Sequence, residues 1–124
     1  MEAIILAGGL GTRLRSVVSD LPKCMAPVAE HPFLHYLLEY LSKENITHVI
    51  LSLGYKHELV EAWIALYQWP LRISYSIEEE PLGTGGAVKL ALGLATEEEV
   101  FILNGDTFFA VNLKDFRQFH QQKK

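Results

Sequence analysis

Glu2-Ala3-Ile4-Ile5-Leu6-Ala7-Gly8-Gly9-Leu10-Gly11-Thr12-Arg13-Leu14-Arg15 is the stretch whose reading decides the fold. Its first part, about Glu2 to Ala7, is apolar and reads as a buried strand. Three glycines and two arginines then fall within the eight positions from Gly8 to Arg15. Glycines at a strand's carboxyl end let backbone N–H groups approach a phosphate closely, because no Cβ intervenes. Arg13 and Arg15 add planar cationic forks that match phosphate oxygens. A strand opening into such a loop makes an anion cradle where open α/β sheets bind their ligands. Two common phosphate loops do not fit. A dinucleotide fingerprint needs glycine where Leu14 stands, and an acidic ribose partner is missing from the next strand end, Leu53-Gly54-Tyr55. A Walker loop needs Gly-Lys-Ser/Thr where Arg13-Leu14-Arg15 stands. Taken alone, a strand-to-helix turn with solvated arginines remains an open reading of this loop.

Outward from that stretch, strand-like runs alternate with helical-period segments, which predicts an α/β fold with a mainly parallel sheet. A Pro-rich stretch runs from Leu21 to Pro32, and a helix starting near Pro32 carries Leu34, Leu37, Leu38 and Leu41 on one face. His48 to Leu53 reads as the second strand. Beyond Gly54-Tyr55, a helix bears Leu59, Val60, Trp63, Ile64 and Leu66. Arg72 to Ile77 is the third strand, Gly83-Thr84-Gly85-Gly86 opens a helix reaching about Ala95, and Val100 to Leu103 is the fourth strand. A last helix is expected from Leu113 onward. The fourth strand ends in Asn104-Gly105-Asp106, which reads as a functional loop, and such loops sit centrally in open sheets. One helix later the sequence stops, so half of a larger domain is expected.

Bulk properties narrow the function classes. The 124 residues, 49% of them hydrophobic, suffice for one core. A net charge of −4 and the lack of a basic block before Lys123-Lys124 argue against a broad nucleic-acid surface. A single cysteine, Cys24, excludes an intramolecular disulfide and a thiolate zinc cluster. No apolar run approaches the length of a membrane span and no signal layout precedes the first strand, so a cytoplasmic protein without membrane partners is the default expectation. His31, His35, His48, His57 and His120 show no metal-ligand spacing, and no Ser-His-Asp set stands out. Trp63 and Trp69 read as packing residues rather than a base-stacking platform.

The remaining motifs fall at predicted strand ends, hence on one rim. Asp106 beside Gly105 suits Mg²⁺, a hard cation that takes oxygen ligands and leaves the rest to phosphates; a plain turn is the competing reading. Lys23 stands between Pro22 and Pro27, whose stiff backbone holds it as a point charge against a phosphate. Cys24 and Met25 read as packing residues. Glu78-Glu79-Glu80-Pro81-Leu82 leads into the Gly83–Gly86 helix start, whose N–H groups can meet a base or a phosphate. One carboxylate can accept both the N1–H and N2–H donors of guanine, whereas uracil and thymine favour an amide. A solvated acidic turn accounts for at least one of the three glutamates.

Together these stretches resemble the sugar-1-phosphate nucleotidyltransferases, or sugar-nucleotide pyrophosphorylases. The resemblance rests on Leu6 to Leu14, Pro22 to Val28, Pro81 to Gly86 and Asn104 to Asp106, in that order, and covers Glu2 to about Phe116. Within the family, Arg15 to Lys23 is most similar to the bacterial D-glycero-D-manno-heptose 1-phosphate guanylyltransferases. Mannose-1-phosphate guanylyltransferases share much of the pattern. Ser16 and Cys24 stand where many relatives have proline.

The resemblance implies a Rossmann-like three-layer α/β/α sandwich of the glycosyltransferase-A-like nucleotidyltransferase type. It implies transfer of GMP from GTP to a sugar 1-phosphate, releasing pyrophosphate and forming a GDP-sugar for cell-surface polysaccharide. Catalytic roles fall to Arg13 and Lys23, and a Mg²⁺ role to Asp106. Nucleotide contacts fall to Leu6, Ala7, Gly8, Gly9, Gly11, Thr12, Arg13, Glu78, Gly83, Thr84, Asn104 and Gly105. Family members carry a second half that supplies most of the sugar pocket and a second metal-binding aspartate. Residues 1–124 therefore read as the nucleotide-binding half, expected to bind nucleotide with weak or absent turnover in isolation. A nucleotide-binding module without catalysis, and a UTP- or dTTP-dependent glucose-1-phosphate enzyme, are the alternatives. A homo-oligomer is compatible with the sequence but not fixed by it.

Overall fold

The computed structural model describes residues 1–7, 23–25, 27–54, 56–80 and 82–105. In chain order these form β1 (Glu2–Leu6), a 3₁₀ turn (Lys23–Met25), β2 (Pro27–Val28), β3 (His31–Pro32), α1 (Phe33–Lys43) and β4 (His48–Leu53). Then come α2 (His57–Ile64), β5 (Arg72–Ile77), α3 (Gly83–Leu92) and β6 (Val100–Asn104). The main sheet has the order β5-β4-β1-β6 with all neighbours parallel, and β2 and β3 form a separate antiparallel hairpin.

Register divides the sheet into two unlike faces. Ala3 and Ile5 of β1 lie beside Val49 and Leu51 of β4, and their side chains join Leu34, Leu37, Leu38 and Leu41 of α1 with Val60 and Ile64 of α2 in the main core. On the other face Ile4 and Ile50 pack with Ala91 of α3. Helices therefore cover both faces, giving the three-layer α/β/α arrangement expected of parallel strands. Every residue of β4 is buried, so its apolar residues Val49, Ile50, Leu51 and Leu53 run over both faces with only His48 and Ser52 polar.

Helix α1 starts directly after Pro32, whose ring presets a backbone angle suited to a helix entry. Its end is a Schellman arrangement: Ile46 N–H donates to Leu41 O at 3.0 Å and Asn45 N–H to Ser42 O at 3.2 Å. Asn45 takes the left-handed conformation that this requires, with φ 66°.

Several expected boundaries shift. β1 ends at Leu6 rather than Ala7, and β6 runs on to Asn104. α3 stops at Leu92 rather than Ala95, because Gly93, Leu94 and Ala95 each bond three residues back in a tightening turn. In α2 only Val60 and Ile64 are buried; Leu59 is exposed, and Leu66 lies past the helix end, exposed as well. The Pro-rich stretch also holds the β2–β3 hairpin, which has no sequence signature because two-residue strands have too little alternation to register as a pattern. Trp63 and Trp69 pack against the core edge as expected, Trp69 donating its indole N–H to Ile64 O at 3.1 Å. The helix expected from Leu113 lies outside the described residues. Among the described residues, no helix is long and apolar enough to cross a membrane.

Candidate functional site

The strand order places the site. From β1 the chain moves to β4 and then β5 on one side, and returns to the other side of β1 for β6. The order therefore reverses between β1 and β6, and ligands of open α/β sheets bind in the crevice beyond the carboxyl ends at such a reversal. Leu6-Ala7 and Asn104-Gly105 flank that crevice.

Ladder bonds continue one residue past each strand and fix where the loops depart. Ala7 N–H donates to Ser52 O at 2.8 Å, Gly105 N–H to Leu6 O at 2.9 Å, and Glu78 N–H to Leu53 O at 2.8 Å. Gly105 is buried, and a Cβ built on it would stand 3.1 Å from Ala7 Cβ, 3.3 Å from Leu6 O and 3.4 Å from Cys24 Cβ. The end of β1, the tip of β6 and the 3₁₀ turn carrying Lys23 thus meet at one point, where a Cβ would have to push its neighbours aside by a few tenths of an ångström and glycine does not. Cys24 is fully buried there, and burial pushes its thiol up to about 12, so it packs as a small apolar residue and holds no thiolate at neutral pH.

On the β5 side, Glu78 is half-buried, whereas Glu79 and Glu80 are exposed. Its Oε2 accepts the N–H of Leu82 at 3.0 Å, tying the loop to the start of α3. Gly83 has φ +75°, a left-handed angle that turns the chain into the helix and strains any other L-residue. The first N–H groups of α3 have no partners within the helix and point toward the same rim. Leu82, at the N-cap position, provides no side-chain cap.

Leu6, Ala7, Glu78, Gly83, Asn104 and Gly105 thus share the carboxyl rim, with Gly83 and Glu78 toward β5 and the others at the reversal point. Lys23 and Thr84 are described as backbone positions on that rim's 3₁₀ turn and helix start. Gly8, Gly9, Gly11, Thr12, Arg13 and Asp106 lie outside the described residues. Among the described residues, no group of three His, Cys, Asp or Glu side chains could hold a metal ion. From the sequence Cys24 reads as generic packing; that it forms the floor under Gly105 follows from the turn folding back onto β6.

Comparison with known proteins agrees with this geometry. The chain is 58% identical over 120 residues to a D-glycero-alpha-D-manno-heptose 1-phosphate guanylyltransferase of Aneurinibacillus thermoaerophilus, covering 97% of this chain and 52% of that protein. It is 49% identical over 117 residues to the protein of the same description from Campylobacter jejuni, covering 94% of this chain and 52% of that one. Among solved structures, HddC from Yersinia pseudotuberculosis, crystallised with GMP-PN, superposes with a TM-score of 0.86 at 40% identity, covering 95% of this chain and 53% of that chain. The chain thus spans about half the length of the curated relatives it matches. Its fold is that of the glycosyltransferase-A-like nucleotidyltransferases. The nucleotidyl transferase family model matches residues 2–124, and with the rim geometry above this establishes that the chain belongs to the nucleotidyl transferase family.

Proposed function

We propose that this rim binds GTP and serves a sugar-1-phosphate guanylyltransferase. In that reaction a phosphate oxygen of the sugar 1-phosphate attacks the α-phosphorus, pyrophosphate leaves, and a GDP-sugar forms. D-glycero-D-manno-heptose 1-phosphate is the sugar substrate proposed, on the 58% and 49% identities to enzymes of that description. Mannose 1-phosphate is the second candidate, supported by 40% identity to the mannose-1-phosphate guanylyltransferase catalytic subunit beta of Danio rerio.

The observation that carries the nucleotide reading is the closure at Gly105. Its N–H on Leu6 O, with Ala7 and Cys24 packed around it, brings together three of the four signature segments at the strand-order reversal. Glu78 stands across the sheet from that point. Three interstrand steps separate β5 from β6, about 14 Å at the usual strand spacing, comparable with the reach of an extended nucleoside triphosphate.

No covalent intermediate is needed, so the protein's work is positioning and charge neutralisation. Arg13 binds the triphosphate and the departing pyrophosphate, and Lys23 neutralises the oxygens around the α-phosphorus. Gly8, Gly9, Gly11 and Thr12 cradle the phosphates. Glu78 accepts the two guanine donors, with Gly83 and Thr84 beside the base and ribose. Asp106, directly after Gly105, would hold Mg²⁺; a single carboxylate with phosphate oxygens filling the other positions suits that cation, which supplies charge neutralisation when bound.

A nucleotide panel tests the reading by titration calorimetry with Mg²⁺ present. GTP should bind more tightly than UTP or dTTP, and Glu78→Gln should erase or invert that order. Preference of the unaltered protein for UTP or dTTP would overturn the guanine assignment. No binding of any triphosphate would overturn the reading as a whole.

A further inference from the structure

At the opposite end of the sheet lies a polar cluster for which nucleotide binding has no use. Glu2, the first residue of β1, is 1% exposed. A buried carboxylate without partners is strongly disfavoured, so its surroundings must compensate. They do so with four donors. Oε1 accepts the N–H groups of Thr96 and Glu97, each at 2.8 Å. Oε2 accepts the Thr96 hydroxyl at 2.9 Å and His48 Nδ1–H at 2.6 Å. His48 is also buried, and its Nε2 meets Ser74 Oγ of β5 at 2.7 Å. An Arg72 guanidinium nitrogen lies 3.2 Å from His48 Nδ1. Because that nitrogen's proton is directed at Glu2, Arg72 acts there as a neighbouring charge rather than a donor. The Met1 amino group pairs with Glu97 at 3.4 Å.

Thr96 and Glu97 belong to the segment that feeds β6. That strand is five residues long, Val-Phe-Ile-Leu-Asn, and among the described residues it pairs only with β1. Strand register is normally set by one apolar and one polar face. Here Val100 and Ile102 on one face and Phe101 and Leu103 on the other are all apolar, so alternation barely distinguishes the observed register from one slipped by a residue. A slip would displace the tip by about 3.3 Å and turn each side chain to the other face. Alternation leaves the register to contacts at the strand's two ends: the close approach of Gly105 at the tip and the Glu2 cluster at the entry.

We propose that Glu2 is a positioning residue that sets the register of β6 on β1 through the backbone N–H groups of Thr96 and Glu97, and so the height at which Asn104 and Gly105 reach the crevice. The consequence for nucleotide affinity rests on the function proposed above; the effect on register does not.

Residue-resolved amide hydrogen exchange on the whole chain tests it, comparing the unaltered protein with Glu2→Ala and Glu2→Gln. Gly105 N–H faces β1, and by alternation so do those of Leu103 and Phe101. Glu2→Ala should lower protection at these three amides by about tenfold or more relative to Val49–Leu53 of β4. Glu2→Gln retains an oxygen for both backbone donors and should keep protection at the three amides within about threefold. Its amide nitrogen would force His48 Nδ1 to become an acceptor, a tautomer change visible in the imidazole ¹⁵N shifts. GTP affinity should follow the same ranking. A uniform loss across β4 and β6, or unchanged protection at Gly105, would overturn the proposal. If Glu2→Ala does not fold, Glu2→Asp gives a milder version: its carboxylate is one methylene shorter and is drawn away from both N–H groups, so a smaller loss confined to residues 101–105 is expected, and a uniform or absent loss overturns the proposal. If the unaltered chain binds no GTP while the exchange pattern holds, the nucleotide reading fails and the positioning role stands.

Discussion

Gly105 donates its backbone N–H to the carbonyl of Leu6 at 2.9 Å, and that bond joins the first signature segment to the last across a sequence separation of nearly a hundred residues. Position 105 lacks a Cβ, which leaves this contact free of crowding. Gly105→Ala would put a methyl 3.1 Å from Ala7 Cβ and 3.3 Å from Leu6 O, so the neighbouring strand end would have to shift by a few tenths of an ångström. Overpacking of this kind costs about 1–3 kcal/mol. Chemical denaturation should register a loss in that range, and calorimetry should find GTP affinity reduced about tenfold or more as the β6 tip is displaced.

Removing the proposed phosphate fork should be selective. Arg13→Ala is expected to weaken GTP binding by about tenfold or more, the worth of a charge-assisted bidentate contact, and to affect GMP far less. Equal weakening of GTP and GMP in a calorimetric comparison would place Arg13 away from the distal phosphates.

Acid stability should report Glu2. Burial by itself would raise this carboxyl's pKa. The hydrogen bonds from His48, from the N–H groups of Glu97 and Thr96, and from the Thr96 hydroxyl outweigh it and lower the value from 4.5 to about 2. A depressed carboxylate pKa adds stability that is complete above 4.5 and is lost as pH falls toward 2. The shift corresponds to about 3 kcal/mol. Urea denaturation at successive pH values should show that loss for the unaltered protein, and a flatter profile between pH 4.5 and 2 for Glu2→Gln.

Cys24 should resist alkylation in the folded protein. Its thiol is fully buried and held near 12, so iodoacetamide at neutral pH should label it only as fast as the site opens. Labelling at the rate of a free thiol, followed by mass spectrometry, would contradict the packing of the 3₁₀ turn against Gly105.

The turn after α1 gives a stability test remote from the site. Asn45 sits at φ 66°, where a β-branched residue is strongly disfavoured. Asn45→Gly should leave stability unchanged or raise it slightly. Asn45→Val should lower it by about 1–2 kcal/mol, measured by thermal denaturation.

What the sequence determined by itself was whatever is written locally. The strands His48–Leu53 and Arg72–Ile77 and the leucine face of α1 follow from apolar runs and helical spacing, and the chemistry of the rim follows from glycines, arginines and carboxylates at strand ends. Tertiary structure alone decided which rim residues meet. Parallel strands adjacent in space are distant in sequence, so nothing local shows that β6 lies beside β1, that Cys24 forms the floor under Gly105, or that Glu78 rather than its neighbours binds Leu82. The Glu2–His48–Thr96 cluster was hidden for the same reason. A glutamate opening an apolar strand and a histidine opening another become one unit only when register sets them side by side and burial makes the carboxylate demand every donor within reach.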